Sequence, residues 1–117
     1  MDFSRYENLR ALVRANFSET TQRLVDEALE YADGKLAGVC RYDGAPMLDH
    51  AAAVASIVIS EVGLGRNSAV SSILHDVVRL AHKERPADEF LALTEEIRNR
   101  FGEQVVGITM GLALSLI

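Results

Sequence analysis

Apolar side chains recur at helical spacing along nearly the whole of this 117-residue chain. No stretch alternates apolar and polar residues cleanly enough to form a half-buried strand. That pattern sets aside sheets, sandwiches and barrels and leaves packed helices. The expected fold class is all-α, a helical bundle. A single domain over residues 1–117 is expected, because this length is what one ordinary domain uses. The core has to be aliphatic, since aromatic residues make up only 6% of the chain and tryptophan is absent.

Local signals divide the chain. Ser4, with Glu7 three residues on, reads as a capping box that opens a first helix reaching about Ala15. A second helix starts near Ser18 and is expected to bury Leu24, Val25, Ala28, Leu29 and Ala32. Two glycines and a proline, Gly38, Gly44 and Pro46, punctuate a loop. A third helix over 48–62 takes Asp49 as its N-cap and stops at Gly63 and Gly65. Its few polar positions predict a central, mostly buried helix. A fourth begins at Asn67 or Ser68 and runs to about His82. Pro86 and its charged neighbours read as a linker, Thr94 as the cap of a short helix ending at Gly102, and Glu103 as the start of the last helix. Residues 105–117 carry no charge, and 13 residues are too few for the roughly 20 that cross a bilayer. They are expected to form a buried helix whose packing partners lie outside the sequence, as in a bundle truncated at its C-terminus.

The charge balance constrains partners. A formal net charge of −5 argues against direct nucleic-acid binding, which needs clustered Lys and Arg. Cys40 is the single cysteine, so neither an internal disulfide nor a cysteine zinc cluster is expected. The opening Met1-Asp2-Phe3-Ser4-Arg5 lacks the apolar core of a signal peptide. A cytoplasmic location and no membrane partner are therefore expected.

Chemistry centres on the histidines. His50 lies in the first turn of the third helix, on a stripe continued by Val54 and Ile57. From the residues alone it is either a core histidine bonded to a backbone carbonyl or a ligand. His75 and Asp76 stand mid-helix and bracket a polar face filled by Ser68, Ser71 and Ser72. A neutral imidazole and a carboxylate both ligate hard or borderline divalent ions. His50, His75 and Asp76 together thus outline a partial metal site of two nitrogens and one oxygen. Other candidates are weaker. His82 reads as a solvent histidine and Cys40 as a small loop filler, while Glu95, Glu96, Arg98 and Arg100 read as a solvated helix face. The glycines form no phosphate-binding fingerprint, because no strand precedes them.

Three motifs agree in spacing with one known family. Arg41-x-x-Gly44-x-Pro46-x-x-x-His50, then Leu74-His75-Asp76-Val77-Val78, then Phe101-Gly102-x-x-Val105 resemble the N-terminal HD domain of RelA/SpoT stringent-response proteins. The segment Ala28-Leu29-Glu30-Tyr31-Ala32 is similar to that family's entry helix. The resemblance implies an HD-domain helical bundle that removes pyrophosphate from the ribose 3′ oxygen of guanosine tetraphosphate. It implies a manganese ion on two histidines and two aspartates, with His50, His75 and Asp76 as three of them and the fourth from a helix further along. It also implies that Arg41 faces the guanine nucleotide, and that a downstream synthetase domain, a GTP pyrophosphokinase, follows in the same chain.

The departures from that family matter as much. Where the hydrolases carry a Glu-Asp pair that activates water, this chain has Arg79-Leu80. Tyr42 replaces a lysine, Ala45 replaces a glutamate, and the late acid-and-base motif reads Ile108-Thr109-Met110-Gly111-Leu112-Ala113. A guanidinium cannot accept a proton near neutral pH. It also repels a divalent ion, by roughly 3 kcal/mol per unit charge at about 6 Å and an effective dielectric of 20. Arg79, three residues from Asp76, could instead pair with that carboxylate and take it from any metal, and Leu80 is expected to pack. No residue is therefore assigned a catalytic role. The leading expectation is a degenerate hydrolase domain that restrains a neighbouring synthetase. The alternatives are an active manganese-dependent 3′-pyrophosphohydrolase, with Asp43, Asp49 or a later acid as substitute, and a non-catalytic module that forms a homodimer through its C-terminal helix.

Overall fold

The structure is a computed structural model that describes residues 1–62 and 65–114. Six α-helices follow a short 3₁₀ turn, Phe3–Tyr6: α1 (Glu7–Asn16), α2 (Glu19–Lys35), α3 (Met47–Ile57), α4 (Arg66–Glu84), α5 (Ala87–Phe101) and α6 (Glu103–Ala113). No strand occurs among the described residues. Among the described residues extended pairing is confined to one antiparallel bridge between Cys40 and Pro46, which closes the loop between α2 and α3. The all-α reading holds. No described helix is long and apolar enough to cross a membrane.

Several boundaries follow the local chemistry. Ser18 caps α2 by accepting a hydrogen bond from the Thr21 amide, and the helix continues through Gly34 to Lys35. Its buried residues include Val25, Ala28, Leu29 and Ala32, whereas Leu24 is only partly buried at the core margin. At the N-terminus the cap is Asp2 rather than Ser4. Asp2 Oδ1 accepts from both the amide and the hydroxyl of Ser4, and the first turn is 3₁₀ before α1 begins at Glu7.

Other boundaries differ from expectation. Asp49 is not the cap of α3. Pro46 precedes the helix, which leaves the Asp49 carboxylate in the first turn and free to bond elsewhere. The helix gives way at Val58–Val62 to a π-helical turn, and Gly63 of the expected stop lies outside the described residues. Residues 86–93 are not a linker. Pro86 immediately precedes α5, where a missing amide costs nothing, and Thr94 sits mid-helix with its hydroxyl bonded back to the Phe90 carbonyl. Gly102, at φ 96°, ends α5 and starts α6. Residues 115–117 of the expected last helix lie outside the described residues.

The central helix is α4, not α3. It packs against α2, α3, α5 and α6, and buries Ala69, Val70, Ile73, Leu74, Val77 and Val78. Its polar face is buried as well, with Ser71, Ser72, His75 and Asp76 all out of solvent. The Ser71 hydroxyl donates to the Val105 carbonyl of α6 at 3.1 Å, which lets a polar residue sit at a helix contact. Helix α3 is apolar because it is alanine-rich. Leu48, Ala51, Ala52 and Ala55 face inward, while Ala53 and Ile57 face out, Ile57 being 50% exposed. Its alanines bring it close to α4, which sets the distance between His50 and the His75-Asp76 pair.

Candidate functional site

The site lies where the start of α3, the middle of α4 and the 38–46 loop meet. Asp76 is the deepest acid, at 4% exposure, and His75 beside it is also buried. His75 Nδ1 lies 2.5 Å from the Ser72 carbonyl oxygen. A carbonyl only accepts, so Nδ1 carries a proton and the ring is fixed by its own helix. The other ring nitrogen, Nε2, faces Asp76 Oδ1 at 3.4 Å. Asp76 Oδ2 is buried with no hydrogen-bond partner. A buried carboxylate with an unpaired oxygen needs a positive neighbour.

That neighbour is Arg79. Its Nη1 stands 3.4 Å from Asp76 Oδ1, as the three-residue spacing on α4 predicts. The arginine side chain is 56% exposed, so it covers the carboxylate from the solvent side. Leu80 is partly buried against the core. Both outcomes agree with the sequence reading of these two positions.

His50 is neither bonded to a backbone carbonyl nor free. Its Nδ1 lies 2.8 Å from Nη1 of Arg41, which reaches over from the loop. A guanidinium only donates, so Nδ1 is the acceptor and the proton of the neutral ring resides on Nε2. Burial, and next the Arg41 charge, hold the His50 pKa below the ordinary histidine value, while Asp76 opposes them. The stripe expected to bury His50 is itself half open, since Val54 is only partly buried and Ile57 is exposed.

A second anchor lies on the far side of the same turn. Arg5 donates to both Asp49 oxygens, Nε to Oδ1 at 2.9 Å and Nη2 to Oδ2 at 2.6 Å, and the Tyr6 hydroxyl donates to Oδ1 at 3.0 Å. The Arg5 bond foremost keeps the Asp49 carboxyl below the usual range. Burial, then the Asp49 bond, pushes Tyr6 up to about 12. This clamp holds the turn that carries His50, and sequence reasoning missed it. The only signal available was an acid directly before His50, which the sequence offers as a cap.

Among the described residues, no group of three or more His, Cys, Asp or Glu side chains gathers closely enough to hold a metal ion. Chemically, His75 Nε2 and Asp76 Oδ2 suit a cation, but both His50 nitrogens are spoken for and Arg79 lies on the acid. As arranged, the set does not fit a bound manganese. The remaining candidates are peripheral. His82 is exposed and meets Phe90 edge to face at 5.2 Å. Cys40 is an exposed free thiol. Arg98 pairs with Glu95 and Glu103, and Lys35 with Glu96, so that face is a network of ion pairs at the surface.

The helical bundle, with His75-Asp76 at the centre of its middle helix and His50 on the neighbouring one, matches the profile of the HD domain over residues 28–115. The chain belongs to the HD-domain family. This HD domain is of the RelA/SpoT type that its motifs resemble. It is 32% identical over 103 residues to a protein of Mycobacterium leprae (strain TN) described as a probable GTP pyrophosphokinase. That alignment takes in 88% of the chain but 12% of the relative, so the HD domain spans about an eighth of that protein's length. No solved structure matches the chain.

Proposed function

We propose that this HD domain is a degenerate hydrolase domain that regulates a GTP pyrophosphokinase domain of the same protein. The observation that carries the reading is Arg79 on Asp76. In the family it resembles, a carboxylate near that place activates water, and here the position holds a permanent cation that cannot act as a base. The similarity to a probable GTP pyrophosphokinase supports the identity of the regulated activity. Guanosine tetraphosphate or a related guanine nucleotide is the proposed ligand, with Arg41 as its contact. The proposed regulation is restraint of the synthetase by docking, in the cytoplasm.

The second reading is an active manganese-dependent 3′-pyrophosphohydrolase. One observation favours it: Asp76 Oδ2 is buried and unpartnered, and His75 Nε2 faces the same carboxylate with its tautomer already suited to a ligand.

Pyrophosphate release separates the two. The protein together with its neighbouring synthetase domain is incubated with manganese and guanosine tetraphosphate, beside an Arg79→Glu, Leu80→Asp double variant. The degenerate reading expects a silent wild type and turnover in the double variant. Release by the wild type at an enzymatic rate would sink it in favour of the hydrolase.

A further inference from the structure

One cause of the disagreement between the donor set and a metal ion lies on Arg41. We infer that Arg41 is a latch that holds His50 out of metal coordination, so that cation binding at His75 and Asp76 and the Arg41–His50 bond exclude one another. This inference deepens the reading of the site as degenerate and rests on the assignment of the HD domain, but not on whether hydrolysis survives.

The argument starts from proton inventory. A neutral imidazole has one proton and one lone pair. Arg41 Nη1 at 2.8 Å from Nδ1 uses the lone pair, because a guanidinium has five N–H donors and no acceptor. The proton is then on Nε2, so neither nitrogen can ligate, whichever one faces α4. His75 is in the opposite state. Its Nδ1 proton is spent on the Ser72 carbonyl, and in the neutral ring the Nε2 lone pair lies 3.4 Å from a carboxylate oxygen. Two histidines of one cleft thus hold opposite tautomers, set by a backbone carbonyl in one case and a loop arginine in the other.

Electrostatics acts in the same direction. Arg41 and Arg79 both bear on His50, lowering its proton affinity, and Arg79 reaches Asp76 directly. One fixed positive charge, Arg79, already answers the buried acid, and a divalent ion entering beside it meets repulsion as well as a missing ligand. The latch is mechanically slight. Arg41 sits in a loop pinned at its ends by the Arg41 amide on the Ala45 carbonyl and the Met47 amide on the Val39 carbonyl. In the same conformation its guanidinium also lies over the exposed Tyr42 ring, 5.7 Å from the centroid.

Two measurements test the latch without any activity. Long-range ¹H–¹⁵N spectra of the imidazoles assign tautomers directly: His50 should carry its proton on Nε2 and His75 on Nδ1. A His50 proton on Nδ1 overturns the inference at once. Manganese binding, followed by loss of the free-ion electron paramagnetic resonance signal, is then compared across variants. Arg41→Gln should bind about tenfold more tightly than wild type, the size of one charge-assisted hydrogen bond removed from competition. Adding His50→Gln to it should abolish the gain. An unchanged affinity in Arg41→Gln, or a gain that survives His50→Gln, overturns the latch. Far-UV circular dichroism confirms that each variant is folded, and the tautomer measurement on wild type stands even if one is not.

Discussion

At the scale of single residues, Asp49 joins the opening turn to α3 through three hydrogen bonds, two from Arg5 and one from Tyr6. Arg5 is well exposed and its share is screened by solvent, so the half-buried Tyr6 bond is the larger contribution. Asp49→Ala should lower stability by about 1–2 kcal/mol in a urea titration. The pH dependence follows from two opposite shifts. Asp49 is depressed in the fold, so its contribution is present above the ordinary carboxyl value, about 3.9, and is lost as pH falls through its folded value. Tyr6 is raised to about 12, so its contribution is complete below the ordinary phenol value, about 10, and is lost as pH rises between these two values. Tyr6→Phe should therefore flatten the alkaline arm of a stability–pH curve, and Asp49→Asn the acid arm. An arm that keeps its slope in the matching variant would contradict the assignment. Neither shift was legible in the sequence, because Asp49 meets partners more than forty positions away.

At the scale of elements, what the sequence disclosed was what a few adjacent residues decide. Ser18 caps α2 because a hydroxyl three residues before an open amide needs no tertiary partner. Thr94 reads as a cap for the same local reason and is not one, since a hydroxyl can also bond back to the carbonyl four residues earlier, as it does here. The burial of Ser71, Ser72, His75 and Asp76 is decided by what α6 and α3 lay against α4, which no local pattern in α4 discloses. Arg79 against Asp76 was legible because both lie on one helix, whereas Arg41 against His50 depends on how the loop folds back. Two glycines make a further test. Gly102 holds φ 96° at the junction of α5 and α6, where an L side chain is strained, so Gly102→Ala should cost about 1 kcal/mol or more. Gly107 lies mid-α6 on the outer face, and a Cβ there meets nothing within 4 Å among the described residues. Gly107→Ala should gain roughly 0.5–1 kcal/mol, and thermal melts of the pair should move in opposite directions.

At the scale of the whole molecule, stability rests on α4, and aliphatic packing takes the place that aromatic residues fill elsewhere. Leu74 is fully buried next to His75, among helices too closely packed to collapse into a hole. Leu74→Ala should cost about 3 kcal/mol in chemical denaturation followed by far-UV circular dichroism, and a loss below 1 kcal/mol would mean the centre is looser than described. The shape of the cleft around His75 and Asp76 is set by this aliphatic framework rather than by what their polar atoms bind. The loop between α2 and α3 adds something of practical use. Its Cys40 is the only thiol in the chain, it is exposed, and it precedes Arg41 directly. A maleimide fluorophore or spin label therefore has one place to attach. Without any engineered cysteine, the protein reports through that dye each time the arginine beside it lets go.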